Sequence, residues 1–321
     1  MQSILSLQGR TALVTGAGQG VGRQTALHFA ANGCDTVLVN DFYADRAEAV
    51  AKEVTELGAK SIVVAADITD YPALSKLVEA AAKQAGGLHI VVNNAGNAGP
   101  TDGIGDLPPF WETEPSDWSR WLGTNLYGVL NTCRITVPLI INSGTGGSIV
   151  NVISDAGRVG EASLAVYSAA KAGASGFSRA LAKGVGAHGI RVNSVSLASI
   201  NTPGLQELLS DEALVKRMLK GYIVRRVGEP TDAANMILFL ASEAASWISG
   251  QTYAVNGGYS TSQCALCPFR PLNSRACCLP LKARLRTSPS IVRPNTTPWM
   301  KRSCSYCSPI SGKSKHRRTS E

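Results

Sequence analysis

At 321 residues the chain is long enough to bury a sizeable core, and its formal net charge of +8 at first suggests a nucleic-acid binder. The charge is unevenly spread: residues 263–321 hold twelve Lys/Arg and one acid, while the preceding 262 residues hold 19 bases and 22 acids. The body is therefore mildly acidic, and its composition argues against a nucleic-acid-binding role outside the tail.

Other residues mark the same boundary. Six of the eight cysteines and seven of the fifteen prolines lie in residues 263–321, but only one of the 32 glycines does. The chain thus divides into a body, residues 1–262, and a basic Cys/Pro-rich tail, residues 263–321, which is expected to stay disordered for want of apolar periodicity. The two body cysteines, Cys34 and Cys133, are too few for a disulfide framework, so a reducing cytoplasmic setting is expected. No basic stretch followed by an apolar run opens the chain, and no apolar run reaches membrane-spanning length, so no membrane association is expected.

Short β-branched runs recur along the body, at residues 11–14, 36–39, 61–64, 89–92, 148–152, 190–193 and 252–255. They are almost continuously apolar rather than alternating, which suits strands buried on both faces of a parallel sheet. Helical patterns lie between them, such as residues 44–57 closed by Gly58 and residues 71–84 closed by Gly86-Gly87. Alternating strand and helix predicts an α/β, doubly wound, mostly parallel seven-stranded sheet with helices on both faces. There is no internal repeat.

The first strand runs into Thr15-Gly16-Ala17-Gly18-Gln19-Gly20-Val21-Gly22, with a helix following through Phe29. Glycines there permit a tight turn and bring backbone N–H groups and a helix N-terminus up to a pyrophosphate. The second strand ends at Asn40-Asp41. A carboxylate there would accept hydrogen bonds from ribose hydroxyls and repel a 2′-phosphate, so NAD is preferred and NADP stays open. No Arg or Lys follows Asp41 before Arg46, and the competing reading of Asp41 is a helix N-cap or a loop residue. Tyr167 and Lys171, four apart on a predicted helix, share one face. An ammonium one turn away favours the phenolate, and a tyrosine able to take and return a proton suits alcohol–carbonyl interconversion. Alone, the pair reads as a core aromatic beside a snorkelling lysine.

Taken together, Thr15-Gly-x-x-x-Gly20-x-Gly22, Asn93-Asn94-Ala95-Gly96, Asn125, Ser154 and Tyr167-x-x-x-Lys171 resemble, in order and spacing, the short-chain dehydrogenase/reductase family. Ser154 stands thirteen residues before Tyr167, as in that family. Ile190-Arg191-Val192-Asn193, Gly228-Glu229-Pro230 and Asn256-Gly257-Gly258 are similar too, so the resemblance covers about residues 7 to 262.

The resemblance implies a Rossmann-type fold and a role for each matching position. Tyr167 would be the general acid/base, and Ser154 would hydrogen-bond the reacting oxygen. Lys171 would lower the tyrosine pKa and hold the nicotinamide ribose, while Asn125 would position a water linking Lys171 to solvent. Residues Thr15, Gly16, Gly18, Gln19, Gly20, Val21 and Gly22 would carry the cofactor phosphates, with Asp41 on the ribose. Asp67 and Ile68 would sit by the adenine, and Asn94, Ala95 and Gly96 by the adenosine ribose. Ile200 joins the cofactor set, and Thr202 would touch the carboxamide. The resemblance also implies a homo-oligomer, commonly a tetramer.

Three departures stand out. Leu197-Ala198 replaces the family's usual Pro-Gly beside the nicotinamide, and Gly33-Cys34-Asp35-Thr36 carries an extra residue that blurs whether Asn40 or Asp41 reads the ribose. Ser154 is followed by Asp155-Ala156-Gly157-Arg158, a variant similar to members acting on alicyclic hydroxyacyl thioesters and cyclic alcohols. Residues 97–111 and 203–226 are expected to recognise substrate, the second as an apolar lid of Leu205, Leu208, Leu209, Met218 and Tyr222. In the tail, Cys264-x-x-Cys267 and Cys304-x-x-Cys307 have zinc-ligand spacing, but the long Pro/Arg-rich gap argues against a site, and no metal is expected.

The sequence thus predicts an NAD(P)-dependent oxidoreductase moving a hydride between nicotinamide and a hydrophobic, alicyclic or otherwise, secondary alcohol or ketone. The alternatives are an NADP-dependent 3-oxoacyl-thioester reductase and a non-catalytic dinucleotide-binding sensor. Nucleic acid remains only as a partner for the basic tail.

Overall fold

Successive side chains of a strand leave a sheet on opposite faces, and here both faces are covered. The structure is a computed structural model and describes residues 3–97 and 108–261. Its strands are β1 (Thr11–Val14), β2 (Thr36–Asp41), β3 (Lys60–Ala65), β4 (Ile90–Asn93), β5 (Gly147–Ser154), β6 (Ile190–Leu197) and β7 (Thr252–Val255). They form one sheet in the order β3-β2-β1-β4-β5-β6-β7, and each neighbouring pair is parallel. The expected strands are all present, four of them longer by two to four residues than their β-branched cores and β4 shifted by one.

The helices are α1 (Gly20–Ala31), α2 (Ala44–Glu56), α3 (Tyr71–Ala85), α4 (Trp118–Leu122), α5 (Gly128–Ser143), α6 (Ala156–Val159), α7 (Ala165–Val185), α8 (Gln206–Ser210), α9 (Glu212–Leu219) and α10 (Pro230–Ala241). Val14, Val37, Val39, Ile90, Val92 and Val150 turn to one face, where Phe29 of α1, Val50 of α2 and Ile237 of α10 pack on them. Leu13, Leu38, Val91, Ile149 and Val192 turn to the other, against Leu74 of α3, Ile140 of α5 and Val185 of α7. Cys34 and Cys133 are buried free thiols, and burial pushes both up to about 12, which leaves them unreactive at neutral pH.

The sheet order reverses between β1 and β4, and the carboxyl ends of β1, β2, β4, β5 and β6 open on the same edge. That edge is where ligands bind in open α/β sheets. Among the described residues no helix is long and apolar enough to cross a membrane. The tail with its two Cys-x-x-Cys pairs, and residues 98–107 of the first expected substrate loop, lie outside the described residues.

Candidate active site

The turn after β1 is built from glycines because its neighbours leave no room for side chains. Gly16 and Gly20 have φ of +60° and +55°, the left-handed region. A Cβ on Gly16 would lie 2.8 Å from Ala95 Cα, and one on Gly20 would lie 3.0 Å from the Thr202 methyl. On Gly22 it would meet Asn94 Nδ2 at 2.5 Å. The turn therefore draws Ala95 and Asn94 from the end of β4, and Thr202 from beyond β6, into one cluster. Gln19 and Val21 open α1, with Gln19 as an extended N-cap residue. Thr15 locks the cluster: its Oγ1 accepts the Asn94 and Ala95 amides at 3.0 and 3.1 Å, while Asn94 Nδ2 donates to the Thr15 and Gly16 carbonyls, each at 3.0 Å.

At the tip of β2 the two candidate ribose readers part company. Asn40 turns into the sheet, its Nδ2 donating to Val64 O at 2.8 Å and Ala66 O at 3.0 Å. Asp41 turns to the glycine turn, where its Oδ2 accepts the Gly18 amide at 2.9 Å and its Oδ1 the Tyr43 amide at 3.0 Å. Asp41 is thus the carboxylate that faces the glycine turn. The N-cap of α2 is Tyr43, so the N-cap reading of Asp41 does not hold. Arg46 lies beside the same turn: a Cβ on Gly18 would lie 2.6 Å from Arg46 Cβ, and the Arg46 guanidinium stacks 4.3 Å above the Tyr43 ring. Beyond β3, Asp67 closes a turn through Thr69 N at 2.8 Å, and Ile68 is buried with its carbonyl accepting from Asn131 Nδ2 at 3.0 Å.

Asn125 lies in a single π-helical turn, Gly123–Tyr127, between α4 and α5. Such turns reorient a side chain out of the helical register. The residue is fully buried, and its Nδ2 donates to Asn97 O, Asn97 Oδ1 and Trp121 O at 2.9, 3.0 and 3.1 Å. Its Oδ1 has no protein partner. A Cβ built on Gly96 would fall 2.9 Å from that oxygen and 3.1 Å from Lys171 Nζ. The orphaned acceptor and the ammonium thus flank one small gap, which Gly96 keeps open.

Lys171 and Tyr167 lie one turn apart on α7, with Lys171 buried and Tyr167 half-buried. Lys171 Nζ donates to Val152 O at 3.1 Å and stands 5.8 Å from the Tyr167 ring centroid. Burial pulls the lysine down to about 8. Burial also pushes the Tyr167 phenol above its ordinary value, and the Ser154 hydroxyl acts in the opposite direction. The Ser154 hydroxyl thus favours the phenolate, while Lys171 stands one helical turn away, held by a strand carbonyl. Ser154 closes β5, its Oγ accepting the Ala156 amide at 3.2 Å. Across the sheet it pairs in register with Leu197, the first residue of the altered segment. Ile200 is buried and bridges to Gly228, so the chain beyond β6 is held in place without the Pro-Gly.

The fold therefore gathers Thr15, the glycine turn, Asp41, Asn94 to Gly96, Asn125, Ser154, Tyr167, Lys171 and Thr202 along one edge of the sheet. Leu205, Leu208, Leu209 and Met218 of the expected lid are half-buried, while Tyr222 is buried with its hydroxyl accepting the Ser199 amide at 3.2 Å. A family profile described as enoyl-(acyl carrier protein) reductase matches residues 16–260. The 7alpha-hydroxysteroid dehydrogenase of Escherichia coli K12 is 36% identical over 254 residues, covering 79% of this chain and 95% of its own. The cyclohexanol dehydrogenase of Acinetobacter sp. SE19 is 35% identical over 263 residues, covering 81% and 100%. The chain belongs to the short-chain dehydrogenase/reductase family.

As a short-chain dehydrogenase/reductase it is an NAD(P)-dependent oxidoreductase acting on alcohols and ketones. A solved 7alpha-hydroxysteroid dehydrogenase, in complex with NADH and 7-oxo-glycochenodeoxycholic acid, has the same fold with a TM-score of 0.73 at 36% identity, covering 79% of this chain and 95% of that one. The dinucleotide fits the residues present: a turn that admits no Cβ, a carboxylate beside it and an unpaired buried acceptor opposite a lysine. Within this short-chain dehydrogenase/reductase, three residues make contacts that the sequence did not assign to them. Asn97 holds Asn125 through both of its oxygens, Val152 orients Lys171 through a backbone carbonyl, and Arg46 reaches the glycine turn. None has a local signal, since each acts through a contact across the fold.

Proposed function

We propose that the protein oxidises hydrophobic, alicyclic secondary alcohols, and reduces the corresponding ketones, with NAD preferred over NADP. The observation that carries this reading is the convergence of Ser154, Tyr167 and Lys171 with the Asn125–Gly96 gap. It is a complete proton-handling set beside a dinucleotide turn. Relatives named for a steroid alcohol and for cyclohexanol support a cyclic substrate, and the apolar residues of the lid support a hydrophobic one.

Tyr167 takes the alcohol proton during oxidation and returns it during reduction. Ser154 donates a hydrogen bond to the reacting oxygen and steadies negative charge there. Lys171, held by Val152 O, carries the proton onward, and Asn125 Oδ1 across the gap accepts from a water that joins the lysine to solvent. Thr15, Gly16, Gly18 and the run from Gln19 to Gly22 would hold the cofactor phosphates and Asp41 its ribose, with Asp67, Ile68, Asn94, Ala95 and Gly96 lining the adenosine side and Ile200 and Thr202 the nicotinamide side. When bound, the dinucleotide supplies the hydride donor or acceptor. The active body runs to about residue 262, forms a homo-oligomer and works in the cytoplasm.

A panel of cyclic and linear secondary alcohols with NAD or NADP, followed by reduced-cofactor absorbance, tests the reading. Cyclic alcohols are expected to turn over with NAD, and Tyr167→Phe to cost about 10²–10⁴-fold in kcat while dinucleotide still binds. Turnover confined to 3-oxoacyl thioesters with NADPH, or a Tyr167→Phe variant of near-normal rate, would overturn it.

A further inference from the structure

Asp155, the residue after Ser154, is 1% exposed, yet its carboxylate is fully engaged. Oδ1 accepts from Arg158 Nη1 at 2.9 Å and from Ser196 Oγ at 2.7 Å. Oδ2 accepts from Asn256 Nδ2 at 2.6 Å and from Ser260 Oγ at 2.7 Å. Its own amide donates to Leu197 O at 2.9 Å. The four side-chain donors come from α6, from β6 and from residues 256–260 beyond β7. A buried carboxylate is tolerated only with such partners, and these join three separate stretches of chain directly behind Ser154.

The chain beyond β7 is in turn clamped to the base of the lid. Val224 N donates to Gly257 O at 2.8 Å, and the Tyr222 and Tyr259 rings lie 5.3 Å apart. Gly258, with φ of +76°, leaves no room for a Cβ, which would sit 2.7 Å from Ile223. Residues 256–260 are therefore wedged between the lid and Asp155.

We propose that Asp155 is a positioning residue that holds Ser154 at the reacting oxygen and ties it, through Asn256 and Ser260, to the base of the substrate lid. The inference rests on the assignment of Ser154, Tyr167 and Lys171 as the reaction centre. It also joins two of the sequence departures into one device. The segment that lacks Pro-Gly supplies Ser196 Oγ–H to the carboxylate and Leu197 O to the Asp155 amide, so the unusual acid braces the unusual strand end.

Asp155→Asn keeps the shape but must set its amide NH₂ against either the Nδ2 of Asn256 or the Nη1 of Arg158, donor against donor. The variant is expected to lose about 10²-fold in kcat, the scale of a small misplacement of a reacting group, with KM and dinucleotide Kd changed by less than about threefold. Exchanging the two residues, Asp155→Asn with Asn256→Asp, restores a donor–acceptor pair and should recover about tenfold of that loss. Ser260→Ala removes one donor from the half-buried rim and should give a smaller loss of the same kind, readable even if Asp155→Asn fails to fold. Wild-type kcat in Ser260→Ala, a loss confined to KM, or an exchange no better than the single variant would overturn the proposal. Near-normal turnover by Tyr167→Phe would instead overturn the reaction centre beneath it.

Discussion

The Oδ1 of Asn125 and the Nζ of Lys171 face each other across a gap that a single methyl group on Gly96 would fill, lying 2.9 Å from one and 3.1 Å from the other. Gly96 does not use a left-handed φ, so the backbone itself would accept alanine. Gly96→Ala is therefore expected to fold with a Tm lowered by a few degrees, the cost of crowding Asn125, and to lose about tenfold or more in kcat by closing the gap. Stopped-flow turnover beside a thermal melt checks this. An unchanged kcat would show that the gap has no part in proton transfer.

Lys171 is pulled by burial to about 8, below the ordinary lysine value of 10.5. The folded state thus binds fewer protons than the unfolded state between these two values, and stability rises with pH across that window. Below pH 8 both states carry the charge, and the burial cost is present in full. Lys171→Met is expected to melt higher than wild type at pH 7, with the difference shrinking as pH approaches 10, and to be inactive. Paired melts from pH 7 to 10 test the sign.

Asp41 faces the glycine turn with Arg46 alongside, so one carboxylate and one guanidinium stand ready at the same edge. Asp41→Asn removes the charge while keeping an oxygen for the Gly18 amide. Like charges placed together cost on the order of several kcal/mol when desolvated. The ratio of kcat/KM for NADP to that for NAD is thus expected to rise by about tenfold or more. An unchanged ratio would mean that Asp41 does not select the cofactor.

Gly22 sits where a Cβ would press on Asn94 Nδ2 at 2.5 Å and on the Gly16 carbonyl. Gly22→Ala must therefore break the tie that Asn94 makes to the turn. Overpacking of this kind costs about 1–3 kcal/mol. A lowered urea midpoint together with weakened dinucleotide binding is expected, and a variant that loses neither would contradict the close packing.

Some of this was written locally. The apolar β-branched runs, buried on both faces, announced a parallel sheet, and four of its seven strands extend beyond those runs. Tyr167 and Lys171 were legible because helical geometry makes a four-residue spacing a spatial statement. The glycine turn was legible because its position after the first strand demands tight backbone. Asn40 and Asp41 were not separable in sequence, since which one turns outward depends on pairing with β3.

What the sequence determined by itself was the order of elements, the nature of the turn and the identity of the acid–base helix, all set by short-range periodicity and backbone freedom. Tertiary structure alone decided that Lys171 answers to Val152, that Asn125 keeps an unpaired oxygen toward it, and that Asp155 is met by Ser196, Asn256 and Ser260. The last two donors lie 101 and 105 residues from Asp155 along the chain. Contacts so distant leave no local pattern. They exist because folding a seven-stranded sheet buries polar groups that must then find partners among whatever the topology brings beside them.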